Sequence, residues 1–384
     1  MIDVFIQRYD RHLLIFLCIL SVLGTVMLYS ASWYESFSSS NGRTDMLFLQ
    51  NHLKRLLVGV FFLFGFLTFD YRKLKQIAPY LIMFSIFLLI MTKLFYLGKG
   101  YDWYKPARWL YMGPFSIQTS DIARFSVIIY MAFYADKKRD KLKDFQLGLL
   151  PALGILCIIM ALIVIQPDYS TALMIGAIGV LILFIGGASI SQLSSAGAGA
   201  MLIGIPVLLS REYRRQRILS WFGIGDNTEI GYQASQSLIS LGNGGIFGVG
   251  LGNSIEKNHF LPTPHTDFIF AIIGEELGFV IGTVPVLTLF LLIFIRGLKI
   301  AKECTDPFGI FLSIGIAFNL VLYAFVNAAV VTGVFPVTGL PMPMVSYGGS
   351  GMVINMAMMG ILLNISQSRR SVGGKKSWSP VLYG

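Results

Sequence analysis

LPTPHTDFIFAIIGEELGF, residues 261–279, sets three carboxylates, Asp267, Glu275 and Glu276, in an apolar segment that runs on as VIGTVPVLTLFLLIFI. Whether this segment enters a bilayer decides the fold, because an acid within hydrocarbon is expensive and needs a partner, a wet cavity or a task. The rest of the chain gives the answer. Its 384 residues are 55% hydrophobic and only 13% charged, with a mean hydropathy of +0.70, which places it among integral membrane proteins. The apolar runs are long enough for a helix to cross a hydrocarbon core of roughly 30 Å at 1.5 Å per residue. They lack the alternation of a membrane barrel strand, so the fold class is all-α and polytopic.

The spacing predicts about ten transmembrane helices, over residues 13–31, 53–69, 77–95, 117–134, 147–165, 171–187, 196–209, 268–295, 308–332 and 350–365. The seventh run is short and the eighth long, which leaves nine spans as the alternative. Basic residues gather in one set of short loops: Arg8 and Arg11; Arg72, Lys73 and Lys75; Lys137, Lys138, Arg139, Lys141 and Lys143; Arg296, Lys299 and Lys302; Arg369, Arg370, Lys375 and Lys376. That side is read as the cytoplasm, with both termini there. The first apolar run has no cleavage site of signal-peptide type and reads as an uncleaved helix. The net charge of +10 is then mainly a topology signal with some attraction to anionic membrane lipids, and gives no argument for nucleic acid. Three cysteines, Cys18, Cys157 and Cys304, form no disulfide framework, and no Cys/His metal spacing occurs. Residues 1–370 form one transmembrane domain, and 371–384 a disordered cytoplasmic tail.

This topology puts residues 210–265 outside as a large structured loop between the seventh and eighth helices. Its start, REYRRQRILSWFG, sets Arg211, Arg214, Arg215 and Arg217 beside Ile218, Leu219, Trp221 and Phe222. Two readings are open: an interfacial amphipathic helix anchored to headgroups, or a guanidinium cluster that recognises phosphate. The glycine-dense GYQASQSLISLGNGGIFGVGLGNSIEK has neither the preceding strand nor the lysine of a nucleotide loop, and reads as tight turns and close backbone approach in an outer cap. In QTSDIARF, Asp121 and Arg124 share a helix face, either as a structural ion pair or as functional groups. Asp168 in QPDYSTA is either a helix cap or a site residue.

Seven motifs together carry a family resemblance: SAS at 30–32, QPD at 166–168, YRRQRI, GYQASQS, GLGNSIEK, the opening stretch, and GLPMPMVSYGGSG near the C-terminus. The chain resembles the SEDS proteins of bacterial shape, elongation, division and sporulation, the FtsW and RodA group, over nearly its whole length. SAS and GNSIEK lean toward the FtsW branch. The resemblance implies a ten-helix fold, peptidoglycan glycosyltransferase activity on lipid II, and a class B penicillin-binding protein transpeptidase as partner. It maps Asp267 onto the family's essential carboxylate. QTSDIAR departs from the usual Q-P-S-E-x-x-K pattern at Thr119, Asp121 and Arg124, keeping both charges but changing their reach.

Polymerising lipid II joins a sugar 4-hydroxyl to an anomeric carbon whose leaving group is a lipid pyrophosphate. The reaction needs a base for the hydroxyl proton, cations for the leaving group, and a carboxylate near developing positive charge. Asp267 fits the first and third needs. Arg214, Arg215 and Arg217, with Arg124 or Lys257, fit the second, and Asp121, Asp168 and His265 complete the candidate substrate contacts. A divalent cation, Mg or Mn, is compatible with that work, although no metal site is visible. For Asp267 the plain reading is an acid favoured by a helix N-terminus. Glu275 and Glu276 are expected to pair structurally with basic or amide groups such as Asn319 or Asn327. Two rival functions stay open: a lipid II flippase and a non-catalytic scaffold of the cell-wall machinery.

Overall fold

The structure, a computed structural model, describes residues 9–100, 108–112, 115–210, 212–222, 224, 229–258 and 260–368. Arg8, Arg211, Arg369, Arg370 and the expected tail 371–384 lie outside the described residues.

Each expected span coincides with a helix. They are α1 (Arg11–Ser39), α2 (Leu47–Thr68), α3 (Leu74–Gly98), α4 (Thr119–Lys137), α5 (Leu150–Ile165), α6 (Tyr169–Ile185) and α7 (Ile190–Leu209). Two helices of the segment 210–265 follow, α8 (Glu212–Trp221) and α9 (Glu229–Gly244), then α10 (Ile269–Gly278), α11 (Val284–Glu303), α12 (Pro307–Val331) and α13 (Ser350–Ser366). Seven of the spans are long and apolar enough to cross a membrane by themselves, and α6 and α13 are shorter apolar helices. One small antiparallel hairpin, β1 (Trp109–Met112) and β2 (Phe115–Gln118), precedes α4. The sequence reading did not foresee it and began the fourth span two residues too early, inside β2.

Local chemistry sets several boundaries. Asp10 caps α1 by accepting from the Leu13 amide at 3.0 Å, which satisfies one of the unpaired first-turn donors. The Asp10 amide donates to Ser366 Oγ at 3.0 Å, and Arg296 Nε donates to the Asp10 carboxylate at 3.1 Å. The start of α1, the end of α13 and the basic end of α11 therefore share one end of the bundle. α13 lies close along α2, where a Cβ on Gly360 would stand 2.3 Å from Leu63 O, the small-residue contact typical of membrane helices.

α4 is not among the helices apolar enough to span alone, yet 14 of its 19 residues are buried. α3, α6 and α12 pack around it. A helix screened from lipid by its neighbours has no need of an apolar surface, and this one carries Asp121 and Arg124.

The eighth span is not one straight helix. Gly278 takes a φ of +75°, and a π-helical turn, Phe279–Thr283, leads into α11. The groups freed by the break are satisfied by the glycine-dense loop: Val249 N–H donates to Glu275 O at 2.9 Å and Gly250 N–H to Glu276 O at 3.0 Å. Phe279 and Val280 N–H donate back to Gly245 O and Ile246 O at 3.0 and 3.1 Å. Only glycine permits this approach, since a Cβ on Gly248 would stand 2.2 Å from Glu276 O. The expectation of close backbone approach in the glycine-dense segment is met here.

Candidate active site

A cavity of about 250 Å³ lies where β1, β2, α4, α6, α12, α13, the segment before α10 and the loop before α13 converge, and its lining includes Arg108, Asp121, Arg124, Asp168 and Asp267. Four of the residues singled out in the sequence thus meet although they stand as much as 146 positions apart (267 − 121).

Asp267 ends the strap that enters α10. Its carbonyl accepts from Asn327 Nδ2 at 2.7 Å, and the same amide donates to Leu340 O at 2.8 Å, which fixes the strap against the loop before α13. That loop comes close because Gly339 has a φ of +71°, and a Cβ there would stand 3.4 Å from Asp267 Oδ2. Among the described residues no donor bonds the Asp267 side chain. Burial pushes its carboxyl above the ordinary value, and the charges of Arg217, His265 and Arg108 pull it part of the way back.

The other walls are built by pairing. Arg124 Nη2 lies 3.2 Å from Asp121 Oδ1, donates to Asn355 Oδ1 at 3.3 Å, and its guanidinium stands 4.6 Å from the Tyr323 ring centre. Ser350 Oγ donates to Asp121 Oδ2 at 2.7 Å and accepts from the Gln118 amide at 2.9 Å. Asp168 caps α6 by accepting from the Thr171 amide at 3.4 Å and also accepts from Gln118 Nε2 at 3.2 Å. Arg108 Nη1 stands 3.8 Å from Asp168 Oδ1. Asp168 therefore caps its helix, and Asp121 and Arg124 form the expected ion pair, while all three line the cavity.

The remaining candidates lie elsewhere. Arg217, on half-buried α8, bears on Asp267 through its charge. Arg214 donates to Val207 O at 3.0 Å and sits 4.9 Å from the Tyr169 ring centre. Arg215 pairs with Glu212 at 2.9 Å with both side chains more than half exposed. His265 does not line the cavity: its ring is wedged between Phe48 and Tyr347, with centroids 4.5 and 5.6 Å away, and Nδ1 stands 3.1 Å from Glu35 Oε2. Lys257 does not line it either. Its ammonium is buried 2.6 Å from Glu276 Oε1 and donates to Gly252 O and Ser30 Oγ, so its donors are taken up structurally. Glu275 and Glu276 pair structurally as expected, but not with Asn319 or Asn327. Asn327 is committed to the strap, and Asn319 contacts Met358 Sδ at 3.9 Å.

Arg108, Gln118, Tyr323 and Asn355 are site residues that the sequence reading missed. The one available signal was Arg108, a cation on the face from which basic residues are depleted.

The profile of the FtsW/RodA/SpoVE cell cycle proteins matches residues 10–371. The chain belongs to that family. It is 36% identical over 368 residues to the probable peptidoglycan glycosyltransferase FtsW of Geobacter sulfurreducens, covering 94% of this chain and 96% of the relative. It is 34% identical to stage V sporulation protein E of Bacillus subtilis, covering 94% and 98%. Among solved structures it superposes on a chain of a peptidoglycan synthase complex that coordinates polymerisation and crosslinking, with a TM-score of 0.76, 24% identity, and coverage of 95% and 99%. The rod shape determining protein RodA of Thermus thermophilus gives a TM-score of 0.67 at 23% identity over 95% and 99%. The FtsW/RodA/SpoVE fold is thus present along nearly the whole chain, which is a multi-pass membrane protein.

Among the described residues no three of His, Cys, Asp or Glu are grouped to hold a metal ion. Asp121, Asp168 and Asp267 share the cavity without forming a cage. The cavity is smaller than the roughly 300–1,000 Å³ of common small-molecule sites.

Proposed function

We propose that this protein is a peptidoglycan glycosyltransferase that polymerises lipid II in bacterial division or elongation. The observation that carries this reading is one cavity whose lining combines the half-buried Asp267 carboxylate, with no donor on it among the described residues, and the guanidinium groups of Arg108 and Arg124. The names of the FtsW relatives support it.

Asp267 accepts the proton of the acceptor 4-hydroxyl as its oxygen attacks the anomeric carbon of the donor. The bond from that carbon to the pyrophosphate oxygen breaks, and the undecaprenyl pyrophosphate leaves with both electrons. Arg108, Arg124 and Arg217 stabilise the charge that gathers there. An elevated carboxyl suits the role, since a base works best with its pKa nearer the operating pH. A divalent cation, Mg or Mn, would add to the stabilisation of the pyrophosphate charge, with Asp121, Asp168 and Asp267 the acids of the cavity nearest to hand.

The partner is a class B penicillin-binding protein, since the product is uncrosslinked glycan; the synthase complex that shares this fold supports the pairing. The protein sits in the bacterial cytoplasmic membrane with both termini inside, a placement supported by the loop charges and by the shared end of α1 and α13.

Purified protein in detergent, given lipid II, should form glycan polymer. Transport has no meaning in detergent, so a preparation that binds lipid II and never polymerises it would return the flippase and scaffold readings. For the topology, a cysteine at Asn243 should be labelled in intact cells; labelling only after permeabilisation would reverse it.

A further inference from the structure

The far end of α10 holds an ion pair with no exposed surface to speak of: the Lys257 and Glu276 side chains are 1% and 0% exposed, with Nζ and Oε1 2.6 Å apart. Ser30 of α1 donates to Glu276 at 2.7 Å, and Lys257 Nζ also reaches Ser30 Oγ at 3.1 Å and Gly252 O at 2.7 Å. Beside them Glu275 accepts from Ser240 Oγ at 2.9 Å, Ser254 Oγ at 2.6 Å and the Ile255 amide at 3.0 Å. Two adjacent carboxylates therefore join α1, α9, the outer loop and α10 at one buried point.

Stability alone does not account for such a pair. A buried ion pair replaced by apolar groups of similar volume is often as stable or more so, because desolvation offsets the attraction. What the pair supplies is direction, since an ammonium shared among a carboxylate, a hydroxyl and a carbonyl allows few arrangements of the chains that bring them.

Closing Lys257 onto Glu276 turns residues 257–276 into a ring. The ring contains the strap, Asp267 and α10, and Asp267 lies opposite the clasp. The strap is pinned again by Leu261 N–H to Glu256 O at 2.8 Å and by Tyr347 N–H to His265 O at 2.9 Å, and His265 Nδ1 stands 3.1 Å from Glu35 Oε2. Ser30 and Glu35 both belong to α1, so that helix lies against both the clasp and the strap.

We propose that the buried Lys257–Glu276 clasp, braced by Ser30, is the positioning device that holds the Asp267 carboxylate over the cavity. The proposal rests on Asp267 as the general base. Opening the ring at the clasp removes none of the reacting groups but lets the strap that bears Asp267 wander, and a displacement of about 1 Å of a reacting group can cost on the order of 10²-fold in rate.

The test is the full-length protein with Lys257→Met and Glu276→Leu together, which removes the clasp without leaving a buried charge. The melting temperature should stay near the parent's and the KM for lipid II should hold. kcat should fall by roughly 10- to 100-fold, with faster amide exchange in residues 260–268. A folded double variant with parental kcat, or with unchanged exchange in the strap, overturns the proposal. If the double variant does not fold, Ser30→Ala decides, since it removes one brace and keeps the pair. A several-fold lower kcat at constant KM supports the clasp, and parental kcat overturns it. An Asp267→Asn variant run alongside separates the two claims: full activity there removes the base and the clasp falls with it, whereas an inactive Asn variant beside an unaffected clasp variant sinks the clasp alone.

Discussion

The two ends of α10 carry acids of the same sign in opposite circumstances. Glu276 is fully enclosed and met by an ammonium and a hydroxyl within 2.7 Å. Asp267 is half-buried, has its backbone tied by Asn327, and offers its carboxylate to a cavity with no described donor on it. Both sites remove water from a charge, but only the first replaces the lost hydration. An acid whose burial is fully compensated is part of the scaffold. One left under-solvated while the surrounding cations stand off keeps its basicity for a substrate proton.

The contrast breaks first at Asp267. Asp267→Asn retains size and much of the hydrogen bonding but cannot take the proton, and glycan polymerisation should fall by about 10² to 10⁴ fold while lipid II binding survives. Stability should move the other way. Burial raises the carboxyl, so the fold favours its protonated form, and that contribution is present at acid pH and lost as pH rises through the raised value. At neutral pH the ionised side chain is a liability, and the Asn variant should melt at or above the parent temperature. An Asn variant that polymerises within a few fold of the parent would remove Asp267 from the mechanism and bring Asp121 or Asp168 forward.

Glu276→Gln tests the opposite end. It leaves the Lys257 ammonium buried without its counter-charge, and breaking such a pair commonly costs about 3–5 kcal/mol. Loss of thermal stability should therefore come first and loss of activity with it, measured as melting temperature and folded yield in detergent. A Gln variant as stable as the parent would show that the enclosed end is not the structural one.

Arg217 sharpens the comparison from the electrostatic side, being first among the cations that hold the Asp267 carboxyl down. Arg217→Gln should shift the acid limb of the pH–rate profile to higher pH, because the base then ionises later. If Arg217 also meets the pyrophosphate, a charge-assisted contact worth about 1.5–3 kcal/mol is lost and the rate falls by roughly 10- to 100-fold. An unmoved limb would separate Arg217 from Asp267.

Hydropathy located the helices of the bundle because lipid imposes a one-dimensional rule on each apolar run, and only α4, screened by its neighbours, falls short of that rule. The acid in HTDFIF was legible for a related reason, as a charge at the edge of such a run. What could not be read were contacts set by the path of the outer loop. Glycines at 244–250 fold back onto the break at Gly278 and carry Lys257 to Glu276, and no periodicity announces that return. Arg108 was hidden similarly, because its place beside Asp168 depends on a hairpin of two four-residue strands. The break itself lay in an unbroken apolar run, where one glycine gives little warning.

Arg215 carries the smallest expected effect. It stands two residues before Arg217, so on a helix the two side chains diverge by about 200° and one cannot take the other's place. Arg215 faces outward, with 54% of its side chain exposed, and is paired with Glu212, 61% exposed, one turn earlier. Exposed pairs of this kind are worth roughly 0.2–1 kcal/mol, and salt screens them further. Arg215→Gln should then polymerise lipid II at close to the parent rate with an unmoved pH profile, whereas a uniform basic patch would make 215 and 217 equivalent. Assayed side by side at equal protein, matched losses in the two variants would mean that α8 recognises phosphate as a surface. A loss confined to position 217 would leave one guanidinium acting on Asp267 and its neighbour in solvent.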